Sequence, residues 1–233
     1  MSSVCIITAR SGSKRIPKKK IRLFCGKPII AYSIIAALES KCFDEVMVST
    51  DSQEIADIAK GSGARIPFLR SKENSNDLAT TADALLEVLL EYEKAGCNFD
   101  YGCCIYPTAP FVTGDRIRDG MKRLENSGAD SVVSIVAYSF PPQRAFRVKD
   151  GRISYIYPEH ERTRSQDLEK IYHDAGQFYC FNISAFEREQ SLICRNSVGL
   201  ELDPLYVQDI DTEDDWRLAE IKYERILGVA GGV

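Results

Sequence analysis

Apolar residues in this chain fall into two alternating patterns: short unbroken runs, and longer segments in which they recur every three or four positions. Val4 to Ala9 is an apolar, β-branched run of strand length. Lys27 to Ser40 follows with Ile30, Ile34, Ala37 and Leu38 on one stripe, the pattern of a helix lying on a sheet. Glu45 to Thr50 predicts a second strand ending at Asp51, and Gln53 to about Lys60 a second helix closed by Gly61 and Gly63. The alternation continues through a strand at Ile66-Pro67-Phe68-Leu69, a helix from about Thr81 to Ala95, and a strand from Tyr101 to Tyr106. A helix from about Asp115 to Asn126, with Thr113 as N-cap, then leads to a strand over Ser131 to Val136. This order predicts an α/β fold, a mainly parallel sheet with helices on both faces.

Between about Tyr138 and Asp174 the pattern breaks. Only two short strands are predicted there, near Ala145 to Val148 and Ile153 to Ile156, in a stretch otherwise rich in polar residues and Pro. It reads as a small lobe inserted into a single domain spanning residues 1–233, a length that supports one substantial core. The alternation resumes at Gly176 to Asn182. A helix from Glu213 to about Ile226, capped by Asp211 or Thr212, closes the chain, and Gly228 to Val233 reads as a loose tail.

Composition narrows the class without naming it. With 44% hydrophobic and 27% charged residues the chain is an ordinary globular sequence, and its formal net charge of −4 does not suit a nucleic-acid scaffold. None of the eight cysteines forms a CxxC pair and only two histidines are present, so the cysteines read as reduced, mostly buried thiols rather than zinc ligands. No apolar run is long enough to cross a bilayer and no secretory signal precedes Val4, so a cytoplasmic protein without membrane contact is expected.

Against this acidic background one basic cluster stands out. Directly after the first strand come the small residues Ala9, Ser11, Gly12 and Ser13, and six cationic side chains lie between Arg10 and Lys20. A lysine-rich solvated loop has the same charge. The order of strand, Arg, small residues and Lys instead places the charge at the carboxyl end of a first strand, where α/β folds bind ligands and where backbone amides and cations can cradle phosphates. The spacing is neither the dinucleotide fingerprint nor a Walker A loop.

The run Ala9-Arg10-Ser11-Gly12-Ser13-Lys14-Arg15-Ile16-Pro17-Lys18-Lys19 closely resembles the signature of the cytidylyltransferases that activate acidic nine- and eight-carbon sugars as CMP conjugates. The resemblance covers about Val4 to Leu227 and implies a Rossmann-like nucleotidyltransferase fold that uses CTP, with Arg10, Lys14 and Lys19 neutralising its phosphates. Its closing motif is matched by Gln208-Asp209-Ile210-Asp211-Thr212-Glu213-Asp214-Asp215-Trp216, in which Asp209 and Asp211 would hold Mg²⁺ against the triphosphate. On spacing alone, alternate carboxylates of an extended segment can meet one cation, but an Asp before a helix is also an ordinary cap.

In the same family the segment holding Arg70, Asp77, Ala79 and Thr81 lines the cytidine pocket. Ser71 stands where the family usually has Pro, which is expected to loosen that turn. Lys20 stands where relatives commonly carry Asn beside the phosphate-loop Lys, which puts one base or ribose contact in doubt.

Tyr106, ahead of Pro107-Thr108, replaces the glutamine with which sialic acid relatives hydrogen-bond the sugar, so a different sugar is expected. Together with Pro142-Gln143-Arg144-Ala145, with Arg164 and Gln166, and with His173, Gln177 and Tyr179, it is similar to the branch that uses pseudaminic acid, a nonulosonic acid. The resemblance further implies that the inserted lobe makes a homodimer and that Arg164 and Gln166 act in the partner's site. The alternatives are the same chemistry on N-acetylneuraminate or the eight-carbon octulosonate, or a nucleotide-sugar sensor that binds without turnover.

Overall fold

The computed structural model describes residues 2–13 and 15–228. Ten strands and six α-helices follow in the order β1 (Ser3–Thr8), β2 (Leu23–Phe24), β3 (Lys27–Pro28), α1 (Ile29–Ser40), β4 (Glu45–Ser49), α2 (Gln53–Gly61), α3 (Thr81–Lys94), β5 (Tyr101–Ile105), α4 (Gly114–Ser127), β6 (Ser131–Ala137), β7 (Phe146–Lys149), β8 (Arg152–Tyr155), β9 (Tyr172–Asn182), α5 (Ile183–Glu189), β10 (Ser197–Glu201) and α6 (Glu213–Leu227). Six strands form the central sheet in the order β10-β6-β9-β5-β1-β4. All its neighbours pair in parallel except β9, which runs antiparallel between β5 and β6. The mainly parallel α/β architecture expected from the alternation is therefore present.

Strand β1 shows why the sheet is covered on both sides. Cys5 and Ile7 join α1, α2 and α4 in one core, whereas Val4 and Ile6 join α3 and α5 in the other. A strand buried on both faces is apolar throughout, which is how β1 reads in the sequence. Helices α2, α3, α4 and α6 start where side chains accept the first free amides: Ser52 for α2, Thr113 for α4, and reciprocal capping boxes of Thr80 with Asp83 for α3 and Thr212 with Asp215 for α6. Between the two capping candidates before α6, the cap is thus Thr212. A Cβ on Gly114 would lie 2.9 Å from the Ser40 backbone nitrogen, so the start of α4 can approach the end of α1 only without a side chain.

Some local features differ from expectation, among them the two-residue strands β2 and β3. Ile66-Pro67-Phe68-Leu69 is not a strand; only Arg65 bridges to β4, and Pro67 lacks the amide that a ladder would need. Helix α5 and the edge strand β10 are additional elements. Strand β9 begins four residues earlier than Gly176, at Tyr172, with an irregularity opposite Val133 and Ile135. The break in alternation between β6 and β9 contains the β7–β8 hairpin, turned through Asp150 and Gly151 with φ of 50° and 73°, and three short 3₁₀ turns. Of the expected tail, only Gly228 lies within the described residues.

Candidate active site

The parallel strands β1, β4 and β5 end at one edge of the sheet, and the segments that follow them carry the chemistry. The basic segment after β1 is not a free loop, because its lone large apolar side chain, Ile16, is 1% exposed. Ile16 packs in a cluster with Phe24, Ile29, Tyr32, Phe111, Ile210, Trp216 and Ala219. The same cluster takes Ile210 from the far end of the chain. Burying Ile16 and Ile210 together brings the cationic turn to the aspartates that flank Ile210.

That juxtaposition is direct. Lys19 Nζ donates to the Ile210 carbonyl at 2.6 Å and lies 3.4 Å from Asp211 Oδ1, while Arg15 Nη1 donates to Asp211 Oδ2 at 2.7 Å. The Asp211 amide donates to Asp215 of the α6 cap, which fixes the segment. Asp209 is exposed, and its carboxylate has no hydrogen bond or ion pair among the described residues.

On the other flank Arg10 Nη1 donates to the Asn76 carbonyl at 3.0 Å and to Asp77 Oδ1 at 2.7 Å, tying the loop before α3 to the turn. Ala9 and Ser11 do not offer amides to an anion. The Ala9 N–H bonds the Ser49 carbonyl, and the Ser11 N–H and hydroxyl both bond Asp51. The Gly12 and Ser13 amides have no acceptor among the described residues, so they are the ones that can face a phosphate. Lys20 Nζ donates to Ser13 Oγ at 2.7 Å. Lys14 lies outside the described residues.

Two adjoining cavities result. One, of about 250 Å³, is walled by Arg10, Gly12, Ser13, Arg15, Ile16, Lys19 and Lys20. The other, of about 220 Å³, is walled by Thr8, Arg70, Ala79, Thr80, Thr81, Tyr106, Pro107 and Thr108, and shares Arg10, Lys19 and Lys20 with the first. Arg70, 8% exposed, bonds Ser49 through Nε and Nη2, and its burial lowers its pKa from the ordinary guanidinium value. Ser71 does not loosen the turn after it. Its amide and hydroxyl each donate to Glu87 at 2.7 Å, and Asn74 donates to the same carboxylate. The amide that a proline would lack is what anchors this turn.

Tyr106 and Thr108 are at the cavity wall as expected, and burial raises the Tyr106 phenol above its ordinary pKa. Tyr179 and Gln177 stand behind it. Tyr179 is 2% exposed, with its ring 5.5 Å from that of Tyr106 and its hydroxyl donating to Asp174 Oδ2 at 2.6 Å. Gln177 accepts the Tyr106 amide through its backbone and donates its side-chain amide to the Tyr206 carbonyl. Both support the wall rather than line it. Arg164 pairs with Asp167, and His173 bonds the Asp174 carbonyl beside Tyr138, so neither these two nor Gln166 lines either cavity of this chain. Arg15, Ile16, Asp51 and Glu87 are site or support residues that motif reading passed over. The lone apolar residue inside a basic run was the available signal for Ile16.

The profile of a family described as cytidylyltransferase matches residues 4–191. The chain belongs to the cytidylyltransferase family. A pseudaminic acid cytidylyltransferase of Campylobacter jejuni is 38% identical over 225 residues, 96% of this chain and 97% of that one. A CMP-N,N'-diacetyllegionaminic acid synthase of Legionella pneumophila is 36% identical, over 94% and 95% of the two chains. A solved CMP:2-keto-3-deoxy-manno-octonic acid synthetase, complexed with CTP, shares the fold at a TM-score of 0.69 and 16% identity, over 98% of this chain and 100% of that one. Among the described residues, no helix of this cytidylyltransferase is long and apolar enough to cross a membrane.

Proposed function

We propose that this cytidylyltransferase transfers CMP from CTP to pseudaminic acid, releasing pyrophosphate. The observation that carries the reading is the pair of cavities joined through Arg10, Lys19 and Lys20. One is a cationic pocket of the kind a triphosphate needs, and the other has hydroxyl, aromatic and guanidinium groups suited to a nucleoside and a polar sugar. The relatives' names supply the sugar, since full-length chains named for pseudaminic acid are 38% identical to this one.

The anomeric hydroxyl of the sugar attacks the α-phosphorus in line; a phosphorus–oxygen bond to the sugar forms as the bond to the pyrophosphate oxygen breaks, and the hydroxyl proton passes to water. Negative charge gathers on the phosphoryl and leaving oxygens, so catalysis rests on positioning and on fixed cations. Arg10, Lys14 and Lys19 serve as those cations, with the Gly12 and Ser13 amides beside them. Arg70, Ala79 and Thr81 wall the nucleoside side, where Asp77 pairs with the Arg10 guanidinium until a phosphate takes its place. Tyr106 and Thr108 meet the sugar, backed by Gln177 and Tyr179.

Asp209 and Asp211 would hold Mg²⁺. Mg²⁺ takes one or two protein carboxylates and fills its shell with phosphate oxygens and water, so it fits an exposed Asp209 whose carboxylate has no partner among the described residues and a half-buried Asp211 whose oxygens face Arg15 and Lys19 of the phosphate pocket. When bound, it supplies charge neutralisation at the phosphates. The inserted lobe makes the homodimer, a reading supported by the exposure of Phe140 before the β7–β8 hairpin and of Val148 and Ile153 on it, at 86%, 68% and 67%. Arg164 and Gln166 then reach the partner's sugar site, and His173, on β9 against Tyr138, stands where the lobe joins the sheet.

The test is CMP transfer from CTP with Mg²⁺ to purified pseudaminic, legionaminic, N-acetylneuraminic and octulosonic acids. Preference for pseudaminic acid is expected. Preference for legionaminic acid would move the assignment to the second relative's sugar, and CTP binding without transfer to any of them would make the protein a sensor.

A further inference from the structure

The two cavities share three cations, and these differ in what already holds them. Arg10 is engaged by the Asn76 carbonyl and the Asp77 carboxylate, and Lys19 by the Ile210 carbonyl and the Asp211 carboxylate. Lys20 bonds only the neutral Ser13 hydroxyl among the described residues. We propose that Lys20 is a catalytic residue that contacts the α-phosphate and stabilises the charge developing on its non-bridging oxygens, which rests on the reading of these cavities as the CTP site. The α-phosphorus is the atom of CTP that joins the nucleoside to the rest of the triphosphate and is also the atom attacked. A substrate laid across both cavities therefore puts that atom at their common boundary, where Lys20 stands half-buried. A fixed cation aimed at the place where charge appears acts mainly on the transition state.

The surroundings give this lysine an unusual titration. Burial, then Lys19, Arg10 and Arg70, lower its pKa from 10.5 to about 8, with Asp51 the one acid opposing them. The free enzyme thus loses the Lys20 charge as pH rises through about 8, whereas an Arg at this position stays charged.

The experiment compares wild type with Lys20→Ala and Lys20→Arg, each checked for an unchanged thermal melt, using CTP, Mg²⁺ and the preferred sugar. Lys20→Ala is expected to lose about 10²-fold in kcat, as the removal of one such donor typically does, with CTP affinity by calorimetry changed less than about tenfold. Lys20→Arg restores most of kcat. In wild type kcat/KM for CTP falls above about pH 8, and in Lys20→Arg that fall disappears below pH 10, which a merely structural role would not produce. A Lys20→Ala kcat within twofold of wild type overturns the proposal. So does a variant that loses CTP affinity more than kcat, which would place Lys20 at the β- or γ-phosphate, or an alkaline fall unchanged in Lys20→Arg. Failure of the wild type itself to transfer CMP would instead overturn the functional reading, and the role of Lys20 with it.

Discussion

Lys19 Nζ lies 2.6 Å from the carbonyl oxygen of Ile210, a hydrogen bond between residues 191 positions apart that closes the cationic turn onto the acidic segment before α6. The carboxylate of Asp211, 3.4 Å from the same ammonium and 2.7 Å from the Arg15 guanidinium, completes the join. These are partly exposed pairs, so their charges contribute little to stability on their own. What holds them is the apolar cluster beneath.

Ile16→Ala tests that cluster. Truncating a fully buried isoleucine costs about 2–5 kcal/mol, and Ile16 is 1% exposed between Phe24, Ile210 and Trp216. The expected result is a lower midpoint in urea together with a raised KM for CTP, measured on the protein that remains folded. Lost stability with an unchanged KM would separate the cluster from the site.

Glu87→Gln tests the turn after Arg70. Although its burial acts to raise it, the Glu87 pKa is lowered overall by the Ser71 amide, the Ser71 hydroxyl and Asn74. A carboxyl whose folded pKa is depressed adds stability above its unfolded value, 4.5 here, and loses it as pH falls through the folded value. Glu87→Gln should therefore be less stable than wild type near pH 7 by about 1–3 kcal/mol, the scale of hydrogen bonds to a charged group. The gap should close as the solution is acidified below the ordinary carboxyl range. Denaturant melts across pH 3–7 read it out, and a constant gap would assign the loss to packing.

Asp77→Asn tests the hold on Arg10. The Asp77 carboxylate, 2.7 Å from Nη1, competes with a phosphate for the same guanidinium. An exposed pair of this kind is worth up to about 1 kcal/mol, so removing its charge should tighten CTP binding up to about fivefold at low ionic strength. Weaker binding would place Asp77 on the nucleotide directly.

The β7–β8 hairpin and its neighbour Phe140 present the exposed apolar side chains proposed to make the dimer. Sedimentation equilibrium should give a dimer for wild type and a monomer for Val148→Asp with Ile153→Asp. A wild-type monomer at micromolar concentration would remove the partner's contribution of Arg164 and Gln166.

Most of the sheet was legible because its strands are unbroken apolar runs and its large helices carry a stripe. Helix α5 was not: seven residues make a weak stripe, and its one clear mark is Asn182, whose side chain accepts the Ala185 amide. Edge strand β10, Ser197-Val198-Gly199-Leu200-Glu201, is only partly buried and carries a glycine, so neither period appears. In the site, cations and aspartates announced themselves by charge, and the burial of Ile16 beside Ile210 brings Arg15 and Lys19 to Asp211. Support residues stayed hidden because their role depends on a partner distant in sequence. Glu87 looks like any surface glutamate until the Ser71 amide is seen to bond it. Arg15 was one cation among six until it was seen on Asp211.

A crystal structure with CTP and Mg²⁺ tests the central claim most directly. The account predicts a triphosphate against Gly12, Ser13 and Lys19, its metal on Asp209 and Asp211, and its nucleoside against Arg70 and Thr81. A nucleotide bound instead in the aromatic cleft of Tyr32, Phe111 and Tyr223, or with its phosphates remote from both aspartates, would contradict it.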